Sequence, residues 1–223
     1  MTMNHLVAPK KVYISVRRSP NMAVAEGTLT VSDRKGWTIA SCSRRQWVWM
    51  VAMIAISGIV KGGWGQVRFI TEAIFGPFAT TILGGFFIFW GMLAVFSIKK
   101  FGAGTLVMTL GTIFELAAGN PFGQMVWVYN FFEGLGADIG FAIFRYKFSS
   151  NRTANLVKAG IVGAVDDAVA YLVFGFTLNI FALSFIANLI TFVTGAIVAV
   201  FWGMFAFGIY GTLQRVNAVP PDQ

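Results

Sequence analysis

Gln124-Met-Val-Trp127-Val-Tyr129-Asn130-Phe-Phe-Glu133-Gly-Leu-Gly-Ala-Asp138-Ile-Gly-Phe-Ala-Ile-Phe144 holds only two ionisable side chains of strong charge, Glu133 and Asp138, and stops at Arg145. About 20 apolar residues in a helix cross the hydrocarbon core of a bilayer. The stretch therefore reads as a membrane helix. Gly119-Asn-Pro-Phe-Gly123 before it is a turn by composition, and Ala103 to Ala118 before that is another apolar segment. The two form an antiparallel helical pair.

The rest of the chain repeats the pattern. Spans are expected at about Trp47–Val60, Glu72–Ile98, Ala103–Ala118, Gln124–Phe144, Ala154–Phe176 and Ser184–Leu213. The first is short for a span, and the sixth is too long for a simple one, which implies a loop portion or a tilt. Lys61-Gly-Gly-Trp64-Gly-Gln66-Val-Arg68 is expected to break the helix, since three glycines within four residues disfavour a regular helix. The fold class is thus all-α, a polytopic membrane protein of six helices. A basic tail occupies residues 1–46, the membrane domain 47–215, and a short C-terminal tail 216–223.

Composition supports this. Of 223 residues, 57% are hydrophobic and 12% charged, and mean hydropathy is +0.71. Soluble domains carry about 25% charged residues. Soluble enzymes, nucleic-acid binders and disulfide-stapled domains are excluded. Cys42 is the sole cysteine and His5 the sole histidine, which removes an intramolecular disulfide, His-based zinc sites and a Ser-His-Asp triad. No GxxxxGK[ST] motif supplies a nucleotide site.

Orientation follows from charge. With both termini in the cytoplasm, 15 of the 17 Lys and Arg fall on the cytoplasmic side, and only Lys61 and Arg68 on the outer side. This is the positive-inside arrangement; a multi-pass chain in a prokaryotic plasma membrane is the expected location.

Ionisable groups inside a span are costly and mark function. Trp127, Asn130 and Glu133 recur at i, i+3, i+6 and share one helix face, with Tyr129 at its border. Together with Glu115 of the third span, they suit a polar cation: the carboxylates supply charge and the rings a cation–π surface. The alternative is an interhelical polar contact without a ligand. Asn188 and Thr191 of the sixth span stand at the edge of a pocket or in ordinary packing. Gly195, Ala199 and Gly203, with Ala52, Ala55 and Gly58 on the first helix, form small-residue stripes that let helices approach closely. They are expected either to meet a partner subunit or to pack internally. Asp166 and Asp167 point about 100° apart as helix neighbours, and Asp166 is expected to pair with a basic side chain or a backbone donor.

Lys99-Lys100-Phe-Gly-Ala-Gly, Phe114-Glu115-Leu-Ala-Ala-Gly-Asn-Pro-Phe-Gly123 and Gly134-Leu-Gly-Ala-Asp-Ile-Gly-Phe-Ala-Ile-Phe-Arg-Tyr146 resemble the YkoE family. These are substrate-binding S components of energy-coupling factor (ECF) vitamin transporters, associated with thiamin or its hydroxymethylpyrimidine (HMP) precursor. The resemblance is close over residues 60–146. Phe101, Met108, Asn130, Glu133 and Asp138 depart from the family pattern. It implies six membrane helices and an outward pocket capped by the loop after the first helix, here Lys61–Thr71. It further implies a coupling subunit and two ATPase subunits as partners. ATP would be used by those partners, and no cofactor would be held by this chain.

A thiamin-related ligand would then be held by Trp64, Glu72, Glu115, Trp127, Tyr129, Asn130, Glu133 and Asn188, with no catalytic and no metal-ligating residues. Two other functions are compatible with the residues. One is a stand-alone secondary carrier using Asp166 or Asp167 as a proton site. The other is a membrane-embedded enzyme, disfavoured by the lack of His or Cys within the spans.

Overall fold

The computed structural model describes residues 36–177 and 179–220, the side chains of residues 77–80 excepted. Expectations about residues 1–35 and 221–223 lie outside the described residues. Six helices follow in order: α1 (Arg44–Phe75), α2 (Pro77–Ile98), α3 (Ala103–Ala117), α4 (Met125–Ala142), α5 (Arg152–Thr177) and α6 (Phe185–Arg215). The described residues contain no strand. α1, α2, α5 and α6 are long and apolar enough to cross a membrane, and α3 is a shorter apolar helix.

The helices run alternately up and down. One end of the bundle gathers the start of α1, the α2–α3 and α4–α5 connections and the end of α6, and is termed the basic end here. α2 is central, packing on α1, α3, α4 and α6, while α1 packs on α3, α4 on α5, and α5 on α6. Phe96 of α2 is fully buried and meets Phe141, Phe148 and Phe207 in edge-on contacts. At the basic end Asp138 fixes the start of α3, accepting hydrogen bonds from the backbone N–H of Gly104 and Thr105 and from Thr105 Oγ1.

Three expectations about the helices are corrected. First, Lys61–Arg68 does not break α1. The helix is a single run of 32 residues, opened by a capping box between Ser43 and Gln46. Three of its four glycines serve close approach. A Cβ at Gly58 would come within 2.2 Å of Gly111 O, one at Gly62 within 2.5 Å of Ala118 Cβ, and one at Gly65 within 2.7 Å of Asn120 Nδ2. The helix cost of glycine, about 1 kcal/mol each, is offset by seating α1 against α3 and its following turn. The Lys61–Thr71 segment is therefore helix and not a capping loop.

Second, the break falls at Gly76, with φ of 71°, followed by Pro77 at the first turn of α2. Glu72 accordingly belongs to the last turn of α1 and not to the second span. Third, of the two alternatives for α6, a loop portion or a tilt, the loop portion is excluded: α6 is one continuous helix of 31 residues, about 46 Å at 1.5 Å per residue.

The small-residue stripes are largely internal. A Cβ at Gly203 would stand 2.3 Å from Ala159 O on α5, and one at Gly195 would stand 2.9 Å from both carboxylate oxygens of Asp167. Ala199 is fully buried, with its carbonyl against Gly163. Gly58 is closed off by α3. These four residues pack within the chain and leave no surface for a partner. Ala52 is exposed and Ala55 half-buried.

Candidate functional site

Because α1 stays helical, Gly58, Lys61, Gly65 and Arg68 line up at three- and four-residue spacing on its inner face, and Lys61 and Arg68 are both buried. Lys61 Nζ lies 3.1 Å from Glu115 Oε2 of α3, with both side chains fully buried. The same ammonium donates to Asn130 Oδ1 of α4 at 2.8 Å and approaches Met108 Sδ at 3.7 Å. Asn130 Nδ2 donates to Thr112 Oγ1 and to Glu115 Oε2, each at 2.7 Å. Asn120 Nδ2 donates to Glu115 Oε1 at 2.6 Å. Glu115 is therefore saturated by partners from its own chain, and Lys61 and Arg68 are not charges of an outer loop.

Beside this network lie two small cavities that share Arg68 and Glu133 in their walls. The smaller, about 10 Å³, is lined also by Glu115, Phe122, Tyr129 and Asn130. The larger, about 50 Å³, adds Asp167, Tyr171 and Phe174 of α5 and Thr191 and Gly195 of α6. Glu133 Oε2 and Asp167 Oδ2 are buried and have no hydrogen-bond partner among the described residues. The Tyr129 and Phe174 rings meet at 4.5 Å. Carboxylate oxygens without donors, flanked by aromatic rings, form a cation-accepting chemistry. A larger space of about 820 Å³ lies at the basic end between the start of α1 and residues 214–220. It is open to the surroundings and lined by Arg44 and Arg45 with no carboxylate, so it does not suit a cation.

Of the residues expected at the site, Glu115, Tyr129, Asn130 and Glu133 are brought together. Glu72 is half-buried on α1, and its Oε2 has no partner. Three others line neither cavity. Trp64 donates Nε1–H to Leu83 O at 3.0 Å and packs on Phe86 at 4.6 Å. Trp127 is half-buried on α4 and lines neither cavity. Asn188 accepts from Tyr171 O–H at 2.8 Å and donates to Leu183 O at 2.9 Å. Among the described residues Asp166 does not gain the basic or backbone partner expected of it: it is fully buried, and neither carboxylate oxygen has a hydrogen-bond partner there.

Comparison with known proteins agrees with this architecture. The family model described as "ABC-type cobalt transport system, permease component" matches residues 46–166, more than half of the chain. The chain belongs to that family. A Bacillus subtilis (strain 168) member of the curated proteins, provisionally named HMP/thiamine permease protein YkoE, is 32% identical over 78 residues, which cover 35% of this chain. The match spans 39% of that relative's length. A solved structure described as the crystal structure of an S-component of ECF transporter superposes with a TM-score of 0.73 at 23% identity, covering 79% of this chain and 88% of the other. The resemblance to the YkoE family and the S-component fold expected from the sequence are borne out. The chain is a multi-pass membrane protein of a transporter family.

Proposed function

We propose that the chain is the substrate-binding subunit of an ECF-type transporter, and that it takes a cationic thiamin-related compound at the Glu133–Asp167 cavity. The observation that carries the reading is the pair of buried, unpartnered carboxylate oxygens of Glu133 and Asp167 beside Tyr129, Tyr171 and Phe174. A thiazolium or aminopyrimidine offers the charge and N–H groups these atoms lack. The name of the Bacillus subtilis relative supports the ligand class. A metal cargo is less well served: the described residues hold no group of three His, Cys, Asp or Glu that share a site, and divalent transition metals favour such donors.

Pockets for small organic ligands typically measure roughly 300–1,000 Å³, far above the two cavities. Binding therefore widens the space. Arg68 and Glu133 stand between the cavities, so their movement merges the two. In this reading the cytoplasmic side is the basic end. With Lys61 and Arg68 buried in α1, the described residues place no Lys or Arg in the connections at the other end, which strengthens the charge asymmetry. A coupling subunit and ATPase subunits supply the energy.

Titration of the purified chain with thiamin and HMP, followed by calorimetry, tests the binding role. Uptake in cells then tests the energy source. The unpartnered Asp166 favours one competing function, a secondary carrier with a proton site on α5. Uptake that needs ATP hydrolysis and partner subunits supports the S component. Uptake by the chain alone, abolished by a protonophore, supports the carrier.

A further inference from the structure

Arg68 presents a problem that a purely cationic ligand does not solve. Its side chain is buried, with 4% exposure. The guanidinium carbon lies 4.8 Å from the Phe122 ring centre, 5.6 Å from Phe87 and 5.8 Å from Phe174. Its Nε is buried and without a hydrogen-bond partner among the described residues. Among the described residues the one ion pair within 4 Å is Lys61–Glu115, so Arg68 is not paired with Glu133 or Glu72, although both lie within electrostatic reach. The aromatic box holds the guanidinium by cation–π contact and leaves its fork of donors unmatched.

The site thus carries two opposite charges, Arg68 and Glu133, in the walls of the same two cavities with no ion pair within 4 Å between them. Asp167 adds to the negative side of the larger one. A ligand with a single positive charge that satisfied Glu133 and Asp167 would leave Arg68 facing a second cation at low dielectric, which is unfavourable. A ligand with an oxyanion as well as a cationic ring matches both ends. Guanidinium is suited to phosphate and carboxylate because its planar fork donates two parallel hydrogen bonds.

We propose that Arg68 binds an oxyanion of the ligand, and that the site prefers a phosphate monoester of the thiamin-related cation over the unphosphorylated compound. This rests on the thiamin-related reading above and adds the chemical form of the ligand. The test is calorimetric titration of the purified full chain with thiamin and with thiamin monophosphate, in the parent, Arg68→Gln and Arg68→Lys.

The parent is expected to bind thiamin monophosphate at least about 10-fold more tightly than thiamin. Arg68→Gln is expected to weaken the monophosphate by roughly 10- to 100-fold, the range of a charge-assisted hydrogen bond, and to strengthen thiamin by removing the repulsion. Arg68→Lys, with charge but no fork, is expected to retain part of the preference. Equal affinities in the parent, or tighter binding of thiamin, overturn the assignment while leaving the thiamin-related reading in place. Loss of both ligands by the same factor in a folded Arg68→Gln also overturns it. Should that variant fail to fold, the parent comparison and Arg68→Lys decide. A parent that binds neither compound overturns the thiamin-related reading, and the oxyanion assignment falls with it.

Discussion

Lys61 Nζ and Glu115 Oε2 lie 3.1 Å apart with no solvent exposure on either side chain, joining the middle of α1 to the last turn of α3. Asn130 ties both to α4 by bonding the ammonium and the carboxylate at once. The pair is a three-helix fastening, which removes Glu115 from the groups available to a ligand. Replacing Lys61 by Met leaves Glu115 buried without its cation. Breaking such a pair typically costs about 3–5 kcal/mol, while apolar replacement of both partners is far milder. Lys61→Met is therefore expected to lower thermal stability sharply in detergent, and Lys61→Met with Glu115→Leu to recover much of it. A single variant as stable as the parent would show that the pair does not hold the helices together.

The small-residue stripes lead to a second prediction. Gly203 sits where a Cβ would meet Ala159 O at 2.3 Å, whereas Ala52 is exposed on the outer face of α1. Gly203→Leu is expected to reduce folded yield, because α5 and α6 cannot separate without losing their packing. Ala52→Leu is expected to leave folding and ligand affinity near those of the parent. If the coupling subunit seats on that face, Ala52→Leu lowers uptake alone. Size-exclusion profiles and melting curves read the first effect, and uptake in cells with the partner subunits reads the second.

How much of this was legible in the sequence varied with the source of the signal. The six helices were visible because apolar runs and basic boundaries report bilayer crossing directly. α3, α4 and α5 end within two residues of expectation. α1 was misread because glycine weakens an isolated helix, yet Gly58, Gly62 and Gly65 are there for the approach of α3, which only the tertiary structure reveals. That one misreading hid Lys61 and Arg68 among loop residues. The i, i+7 spacing of the two cations, with glycines between them on the same face, was the available signal. Trp127 shares a face with Asn130 and Glu133 on a helical wheel, but in the first turn of α4 it is its neighbour Val126, and not Trp127, that lines the smaller cavity. Asp166 and Asp167 are adjacent and the sequence does not separate their roles; only the packing of α6 at Gly195 shows which of the two reaches the larger cavity.

Orientation yields a third prediction. The Gly119–Gly123 turn lies at the opposite end of the bundle from the α4–α5 connection. In Cys42→Ser, a cysteine at exposed Pro121 is expected to react with an impermeant thiol reagent in intact cells. One at exposed Ser150 is expected to react only after permeabilisation. The reverse pattern would place the basic end outside and contradict the charge asymmetry.

The last prediction separates the carboxylates. Glu115 has donors on both oxygens, from Lys61, Asn120 and Asn130, so Glu115→Gln is expected to act mainly on stability. Glu133 has an oxygen with no donor, and so has Asp167. Glu133→Gln and Asp167→Asn therefore disturb no hydrogen bond at those atoms and are expected to fold. Each is expected to weaken a cationic ligand by roughly 10- to 100-fold, or about 1.5–3 kcal/mol, the contribution of a charge-assisted hydrogen bond. Because both residues line the larger cavity, their effects on one ligand are expected to be non-additive, with a coupling above about 0.5 kcal/mol in a double-mutant cycle. Phe174→Ala is expected to weaken binding as well, since its ring stands in the cavity wall and against Tyr129. Trp127→Ala, away from both cavities, is expected to bind like the parent. Calorimetry with thiamin and its monophosphate measures all five variants on one scale. Loss of affinity in Trp127→Ala, with Glu133→Gln and Asp167→Asn unchanged, would place the ligand against Trp127, outside the two cavities, and refute the site.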